Sequence, residues 1–297
     1  MASEPDQTYK ISLTVSEGDA RLVDAALAEF AAHDFPPVVA DFEAGGGRRQ
    51  IDIYFADPAL ETELLERIGA RLTAPLEVQA LDARDWVAES QRLRRPVRAG
   101  RFFVHGAHDR DAIPDDTIAI EIEAGQAFGT GGHDSTEGCL LAVDRLSAGF
   151  RPKNALDLGT GSGILAIAIA KCWDIPVLAT DVDPIAVAVA AENVRKAGLS
   201  LKKRYPGIQT LTADGLDDEA IRDAGPFDLI AANILAEPLI AMAPALATQV
   251  RGGGRVILSG LLDWQEEGVL APYTARGLAP ADRIAKDHWV TLTLVMV

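Results

Sequence analysis

The sequence contains little cysteine and no long hydrophobic segment. Two cysteines, Cys139 and Cys172, occur in 297 residues, and both lie in apolar stretches typical of helices, so neither a disulfide framework nor a zinc site is expected. The longest apolar runs, such as 164–170, are far shorter than the ~20 residues that span a bilayer. The first ten residues lack the basic and apolar regions of a signal peptide. We therefore expect a soluble cytoplasmic protein that binds no membrane and no metal.

Basic residues are also scarce relative to acidic ones. The chain has 28 Lys and Arg against 44 Asp and Glu, a formal net charge of -16, and such a balance repels phosphate backbones. We therefore do not expect DNA as a partner, and a cationic or amine-bearing partner is favoured. Apolar residues make up 48% and charged residues 24%, which is typical of globular chains that bury a sizeable core. The length favours two domains, or one large domain with an appendage.

The first 82 residues predict a small ferredoxin-like α+β domain. Apolar alternation and periodicity follow the order strand, helix, strand, strand, helix, strand. Three glycines at 45–47 stand where the two middle strands need a hairpin turn. No cluster of Cys, His or paired acids occurs here, so we interpret this domain as a substrate-recognition module. The predicted strands are 10–15, 38–44, 50–55 and 76–80, and the predicted helices are 19–32 and 58–72.

Residues 83–100 are predicted to form a linker with a short amphipathic helix and a basic patch. The patch consists of Arg92, Arg94, Arg95 and Arg98. Such a patch could contact RNA, but four arginines in an acidic protein more often form a solvated or salt-bridged surface.

The remaining residues, 101–297, predict an α/β domain with a mostly parallel sheet. Apolar strands alternate with helices, the pattern of a sheet covered on both faces, and the last strand is expected to be antiparallel. The predicted strands are 101–105, 117–123, 155–158, 176–180, 208–213, 227–232, 254–259 and 289–297, and the predicted helices are 163–172, 184–198, 235–250 and 263–276.

A glycine-rich loop joins the first parallel strand of this domain to its helix. Gly159, Gly161 and Gly163 follow the strand directly, where glycine allows a sharp turn and a close approach by a ligand. The spacing is G-x-G-x-G, whereas a dinucleotide fingerprint has its third glycine one residue later. A loop of this kind alone can also be only a tight turn.

Asp181 strengthens the interpretation of the loop as a ligand site. It ends the next strand, where a carboxylate can accept hydrogen bonds from both hydroxyls of a ribose. Asp183 and Pro184 form a typical start of a helix, so Asp183 is predicted to be a structural cap. The alternative is that Asp181 only caps a turn.

The pattern D-x-G-x-G-x-G followed by an acidic residue resembles the class I methyltransferases, Rossmann-like enzymes that use S-adenosylmethionine. Two further blocks, 127–146 and 227–244, resemble the PrmA family, the methyltransferases of the eleventh large-subunit ribosomal protein. The resemblance implies trimethylation of lysine side chains and the terminal amine of that protein, by an enzyme expected to be a monomer. It also implies cofactor contacts at Thr136, Gly159, Gly161, Gly163, Asp181 and Asn233, with Asn233 orienting the amine as well.

The first of these blocks departs from the family pattern. The family usually has Thr, Pro and Thr where this chain has Gly132, Asp134 and Ser135. The resemblance therefore does not establish the conformation of this loop. His133 could act as a proton acceptor or could order the loop. Asp214 could bind an adenine amino group, but turn chemistry explains an Asp-Gly pair equally well.

Four other functions remain as alternatives. A methyltransferase of a glutamine amide is disfavoured because Ile234, Leu235 and Ala236 replace the prolines and aromatic residue of amide-binding loops. A small-metabolite methyltransferase would not need the N-terminal domain. An assembly factor without turnover is disfavoured because the site residues are present, and a nicotinamide dehydrogenase is disfavoured by the glycine spacing.

Overall fold

A computed structural model of the chain describes residues 7–28, 38–45, 48–55, 59–69, 77–82, 96–122, 134–202 and 207–297. The chain divides into two units, Met1–Ser90 and Gln91–Val297. In the part of the chain just given, no helix is long and apolar enough to cross a membrane.

The first unit has the predicted βαββαβ order. Its sheet is antiparallel with the strand order β2-β3-β1-β4, the arrangement of a ferredoxin-like domain. The elements are β1 (Gln7–Ser16), α1 (Glu17–Ala28), β2 (Val38–Gly45), β3 (Arg48–Phe55), α2 (Ala59–Gly69) and β4 (Glu77–Asp82).

Sequence periodicity accounts for the core of this unit. In β1, Ile11, Leu13 and Val15 are buried while the residues between them are exposed, as expected for a strand with one face on a core. In α2 the buried residues recur at every fourth position, which places them on one face of the helix. Both sets belong to one hydrophobic cluster.

The second unit begins with a small three-stranded sheet. Its strands are β5 (Val97–Ala99), β6 (Phe102–His105) and β7 (Ile118–Glu121), with a 3-10 helix at Ala107–Ala112 after β6. The segment predicted as a linker, 83–100, thus includes a strand. Ala99 is fully buried in a hydrophobic cluster of the second unit, because even this short strand has an apolar face.

The predicted basic patch lies mostly outside the described residues. Its described member, Arg98, forms an ion pair with Asp116 at 2.7 Å, in keeping with a salt-bridged surface. The amphipathic helix predicted in the linker and Arg92, Arg94 and Arg95 are also among the residues that the structure does not describe.

The large sheet confirms the α/β class. Its strand order is β10-β9-β8-β11-β12-β14-β13, parallel from β10 to β12, with β14 antiparallel to both of its neighbours. The elements are α3 (Asp134–Ser147), β8 (Ala155–Leu158), α4 (Ile164–Trp173), β9 (Val177–Asp181), α5 (Pro184–Lys196), β10 (Ile208–Thr212), α6 (Glu219–Ala224), β11 (Phe227–Asn233), α7 (Ala236–Thr248), β12 (Val250–Leu262), α8 (Glu266–Thr274), β13 (Leu278–Lys286) and β14 (Trp289–Met296).

The expected antiparallel strand at the C-terminus is confirmed as β14, and it pairs with a further strand, β13, that the sequence did not predict. β13 has only two buried residues, Leu278 and Ile284, and contains Pro280. Such a strand is typical of a sheet edge and lacks a clear alternating pattern. This explains why the sequence pattern did not predict it.

Two hydrophobic clusters cover the two faces of the large sheet. Every residue from Ile164 to Ala170 in α4 is buried, which explains the apolar run in the sequence. Cys139 is buried in α3 and Cys172 is partly buried near the end of α4; both are free thiols. The order of the strands reverses between β8 and β11, and in open α/β sheets ligands bind at the carboxyl ends of the strands at such a point.

Candidate active site

The glycine loop follows β8 at this reversal point. The N–H groups of Gly159 and Thr160 donate to the carbonyl of Thr180, 2.9 and 2.8 Å away, which fixes the loop to β9. Gly159 has a φ of +72°, and a Cβ there would lie 2.4 Å from Cγ2 of Ile234. Only glycine therefore allows the loop between β11 and α7 to approach so closely.

The other two glycines of the loop differ in their surroundings. Both have positive φ angles, and the N–H of Gly161 donates to Asp181. A Cβ on Gly163 would lie 3.1 Å from the backbone of Ala190, so Gly163 allows α4 to pack closely on α5. The structure thus gives Gly163 a packing role, and its predicted contact with a cofactor stays a prediction.

Asp181 stands at the end of β9, half-buried between the loop and the start of α5. Its Oδ2 accepts the N–H of Gly161 at 2.9 Å and its Oδ1 accepts the N–H of Asp183 at 3.1 Å. Asp181 therefore does cap a turn, but an ionised carboxylate can accept about four hydrogen bonds, so it can also receive ribose hydroxyls. The predicted cap is confirmed, because Asp183 accepts the N–H of Ile185 at 2.8 Å.

Thr136 and Asn233 lie 97 positions apart in the sequence and meet in the structure. The amide nitrogen of Asn233, at the end of β11, donates to the hydroxyl of Thr136 in the first turn of α3, at 3.2 Å. The other amide atom, Oδ1 of Asn233, is buried and has no hydrogen-bond partner among the described residues. A buried acceptor without a partner costs ~1–3 kcal/mol. This oxygen is therefore available for a donor from a ligand.

The residue after Asn233 is held between two glycines. Ile234 lies against Gly159 of the glycine loop and against Gly260 on β12, where a Cβ would be 2.3 Å from the carbonyl oxygen of Ile234. Gly260 also has a φ of +85°. The sequence analysis did not identify Gly260, because a glycine after a strand is not distinctive until the sheet order shows which backbone lies beside it.

Asp157 is a buried acid directly under the loop. Its Oδ2 accepts the hydroxyl of Thr160 at 2.6 Å and the N–H of Ala166 at 2.9 Å. Its Oδ1 is buried without a hydrogen-bond partner in the described part of the chain. Burial raises the pKa of Asp157 to about 6, and the hydrogen bonds from Thr160 and Ala166 oppose this increase.

The structure shows less about two other residues that the sequence offers as candidates, Asp214 and His133. Asp214 is exposed and follows β10, whose last residue, Thr212, pairs with Asp181 in parallel register. It therefore lies at the same sheet edge, and its contact with adenine stays a prediction. His133 and the glycine-rich residues before it, including Gly132, lie outside the described residues.

The site as a whole fits S-adenosylmethionine. Three glycines with positive φ angles shape the loop at the end of β8, Asp181 provides carboxylate acceptors for a ribose, and Asn233 has an oxygen without a partner among the described residues. These groups converge at the carboxyl edge of the sheet, where open α/β folds bind nucleotides.

Comparisons with known proteins agree with this geometry. The sequence model of the PrmA family, described as ribosomal protein L11 methyltransferase, matches residues 39–296. The ribosomal protein L11 methyltransferase of Rhizobium johnstonii is 46% identical over 291 residues, covering 96% of this chain and 98% of its own. That of Brucella suis is 43% identical over 293 residues, covering 98% of this chain and 95% of its own. The crystal structure of a ribosomal protein L11 methylase from Lactobacillus delbrueckii subsp. bulgaricus is 30% identical with a TM-score of 0.59, covering 68% of this chain and 98% of that one.

Proposed function

The chain belongs to the PrmA family of ribosomal protein L11 methyltransferases, and on this premise we propose that it methylates amines of ribosomal protein L11 with S-adenosylmethionine. The observation that carries the proposal is the buried Oδ1 of Asn233, which has no partner in the described structure and belongs to the residue before Ile234, which packs against Gly159. When bound, S-adenosylmethionine supplies a methyl group on a positively charged sulfur, ready for attack by a nitrogen lone pair.

Asn233 and Thr136 are proposed to hold the reactants in line. The hydroxyl of Thr136 accepts the amide N–H of Asn233, so the amide plane is fixed and Oδ1 points away from Thr136. Oδ1 can then accept an N–H of the incoming amine and direct its lone pair. Because displacement at a methyl group needs alignment above all, such positioning accounts for most of what the protein must do.

The amine must also lose its proton before it reacts. A lysine with a pKa near 10.4 is ~3.4 units from neutrality at pH 7, which costs ~4.6 kcal/mol, whereas an N-terminal amine costs only ~1 kcal/mol. Contact with Asn233 and the carbonyl of Ile234 in a partly desolvated pocket would favour the neutral lysine, because burial disfavours an ammonium ion.

We further propose that the enzyme trimethylates lysine side chains and the terminal amine, acting as a cytoplasmic monomer. Ile234 and Leu235, which connect β11 to α7, and Ala236, which begins α7, include no proline or aromatic residue, and Leu235 is 70% exposed. Such a loop leaves room for an amine that rotates and gains methyl groups. The first domain, 1–82, would then recruit L11, and the linker, 83–100, would connect it to the catalytic domain, 101–297.

Mass spectrometry of the substrate tests the proposal. Purified L11 is incubated with the enzyme and S-adenosylmethionine, beside a total extract of the other ribosomal proteins. We expect L11 to gain mass in multiples of one methyl group, up to three on each modified amine, and Asn233→Ala to slow this gain. No gain on L11, or a gain on a different protein, would refute the proposed substrate.

A further inference from the structure

Two acidic residues in the first turn of α3 share one lysine. Nζ of Lys286, the last residue of β13, lies 3.1 Å from Oδ1 of Asp134 and also binds Oε2 of Glu137. Partial burial lowers the pKa of Lys286, but the hydrogen bonds that Lys286 donates to Glu137 and Asp134 outweigh this effect and raise the pKa overall. The lysine therefore remains charged at neutral pH.

The same turn of α3 is also attached to the sheet by buried hydrogen bonds. The hydroxyl of Ser259 donates to the carbonyl of Ser135 at 3.2 Å and lies 2.8 Å from the hydroxyl of Thr291. Ser259 on β12 pairs in register with Asn233 on β11. The start of α3 and the end of β11 are thus attached to the same point of the sheet.

Thr136 lies in the sequence between the two acids that Lys286 binds. Its hydroxyl accepts the amide N–H of Asn233, so a rotation or shift of this turn would move the amide as well. The ion pairs with Lys286 therefore connect this turn to β13 on both sides of Thr136.

We propose that Lys286 is a positioning residue, which holds Asp134 and Glu137 and thereby keeps Thr136 in place to orient Asn233. This inference rests on the proposed function, because it assigns Lys286 to the same site. Lys286 does not touch the reacting atoms. An isolated surface ion pair contributes little to stability, so its removal should affect the site more than folding.

The main experiment compares Lys286→Met with the wild-type enzyme. Because Thr136 is itself an expected cofactor contact, we expect the dissociation constant for S-adenosylhomocysteine, measured by calorimetry, to rise about fivefold. We also expect kcat for L11 methylation to fall while the KM for L11 is unchanged. Lys286→Arg keeps the charge and should restore both values. Asp134→Asn should give a smaller loss in the same direction.

Arg145→Met provides a matched control. Arg145 is in the last turn of α3 and pairs with Asp282 on β13 at 2.8 Å, so this variant removes an equal charge between the same two elements, far from Thr136 along the helix. It should keep the wild-type affinity for S-adenosylhomocysteine. Thermal unfolding of every variant shows which are folded.

The outcomes separate this inference from the proposed function. If folded Lys286→Met binds S-adenosylhomocysteine as the wild type does, or if Arg145→Met loses as much affinity, the role of Lys286 is refuted. If the wild-type enzyme binds S-adenosylhomocysteine but does not methylate L11, the proposed function fails, while the affinity comparison still decides on Lys286.

Discussion

Replacing Gly260 by alanine should disrupt the site more than it disrupts the fold. The new Cβ would lie 2.3 Å from the carbonyl oxygen of Ile234 and 2.8 Å from its carbonyl carbon. Ordinary contact distances are ~3.5 Å, so the Ile234 peptide would have to move by about 1 Å. Since β11 ends at Asn233 and α7 begins at Ala236, only a two-residue connection can absorb this shift.

The expected loss of stability and the expected loss of activity have separate causes. A φ of +85° is unfavourable for alanine, and strain of this kind lowers the free energy of unfolding by ~1–3 kcal/mol. A displacement of ~1 Å at groups that align reactants can lower the rate about 100-fold. We therefore expect kcat/KM for L11 methylation to fall about 100-fold in Gly260→Ala, while the protein stays folded.

Steady-state kinetics and thermal unfolding of the same samples measure these effects. Gly252→Ala is the control, because Gly252 also lies in β12 but a Cβ there would meet nothing within 4 Å. That variant should keep its kcat/KM. If Gly260→Ala were folded and as active as Gly252→Ala, the position of the Ile234 peptide would not matter for catalysis and the reasoning would be wrong.

Three further predictions concern the carboxylates and the amide of the site. Asp181→Ala should weaken S-adenosylmethionine binding by ~1–3 kcal/mol, because a charged acceptor is lost; in calorimetry Asp183→Ala, which removes only a helix cap, should leave the affinity unchanged. Asn233→Ala should lower kcat more than cofactor affinity, and equal losses in both would make Asn233 a cofactor contact only. Asp157 has a native pKa of about 6 against an ordinary value of 3.8, so the native state binds the extra proton and stability falls as pH rises through this interval. In denaturant unfolding the stability of Asp157→Asn relative to wild type should therefore increase by on the order of 1–3 kcal/mol from about pH 4 to above pH 6, and a pH-independent difference would contradict the burial of a charged Asp157.

The sequence predicted the elements whose burial is periodic or continuous. The strand at Ala155–Leu158 was predicted with its observed bounds, because all four residues are buried at the centre of the sheet and three of them are apolar. Val97–Ala99 and β13 were not predicted. The first is too short to show a period, and the second buries only Leu278 and Ile284, so its position in the sheet depends on pairing with β14 rather than on its own pattern.

The residues of the candidate site also differ in how far away in the sequence their contacts lie. The glycine loop and Asp181 lie within one strand-helix-strand unit, so their spacing in the sequence already indicates a ligand site. Gly260 and Lys286 act on residues far away in the sequence; Lys286 and Glu137 are 149 positions apart. A glycine after a strand or a lysine near a hairpin has no distinctive local pattern, and its role depends on which backbone or carboxylate the sheet order places beside it. The glycine loop and Asp181 can therefore be predicted from motifs, whereas contacts such as those of Gly260 and Lys286 are found only when the sheet order is known.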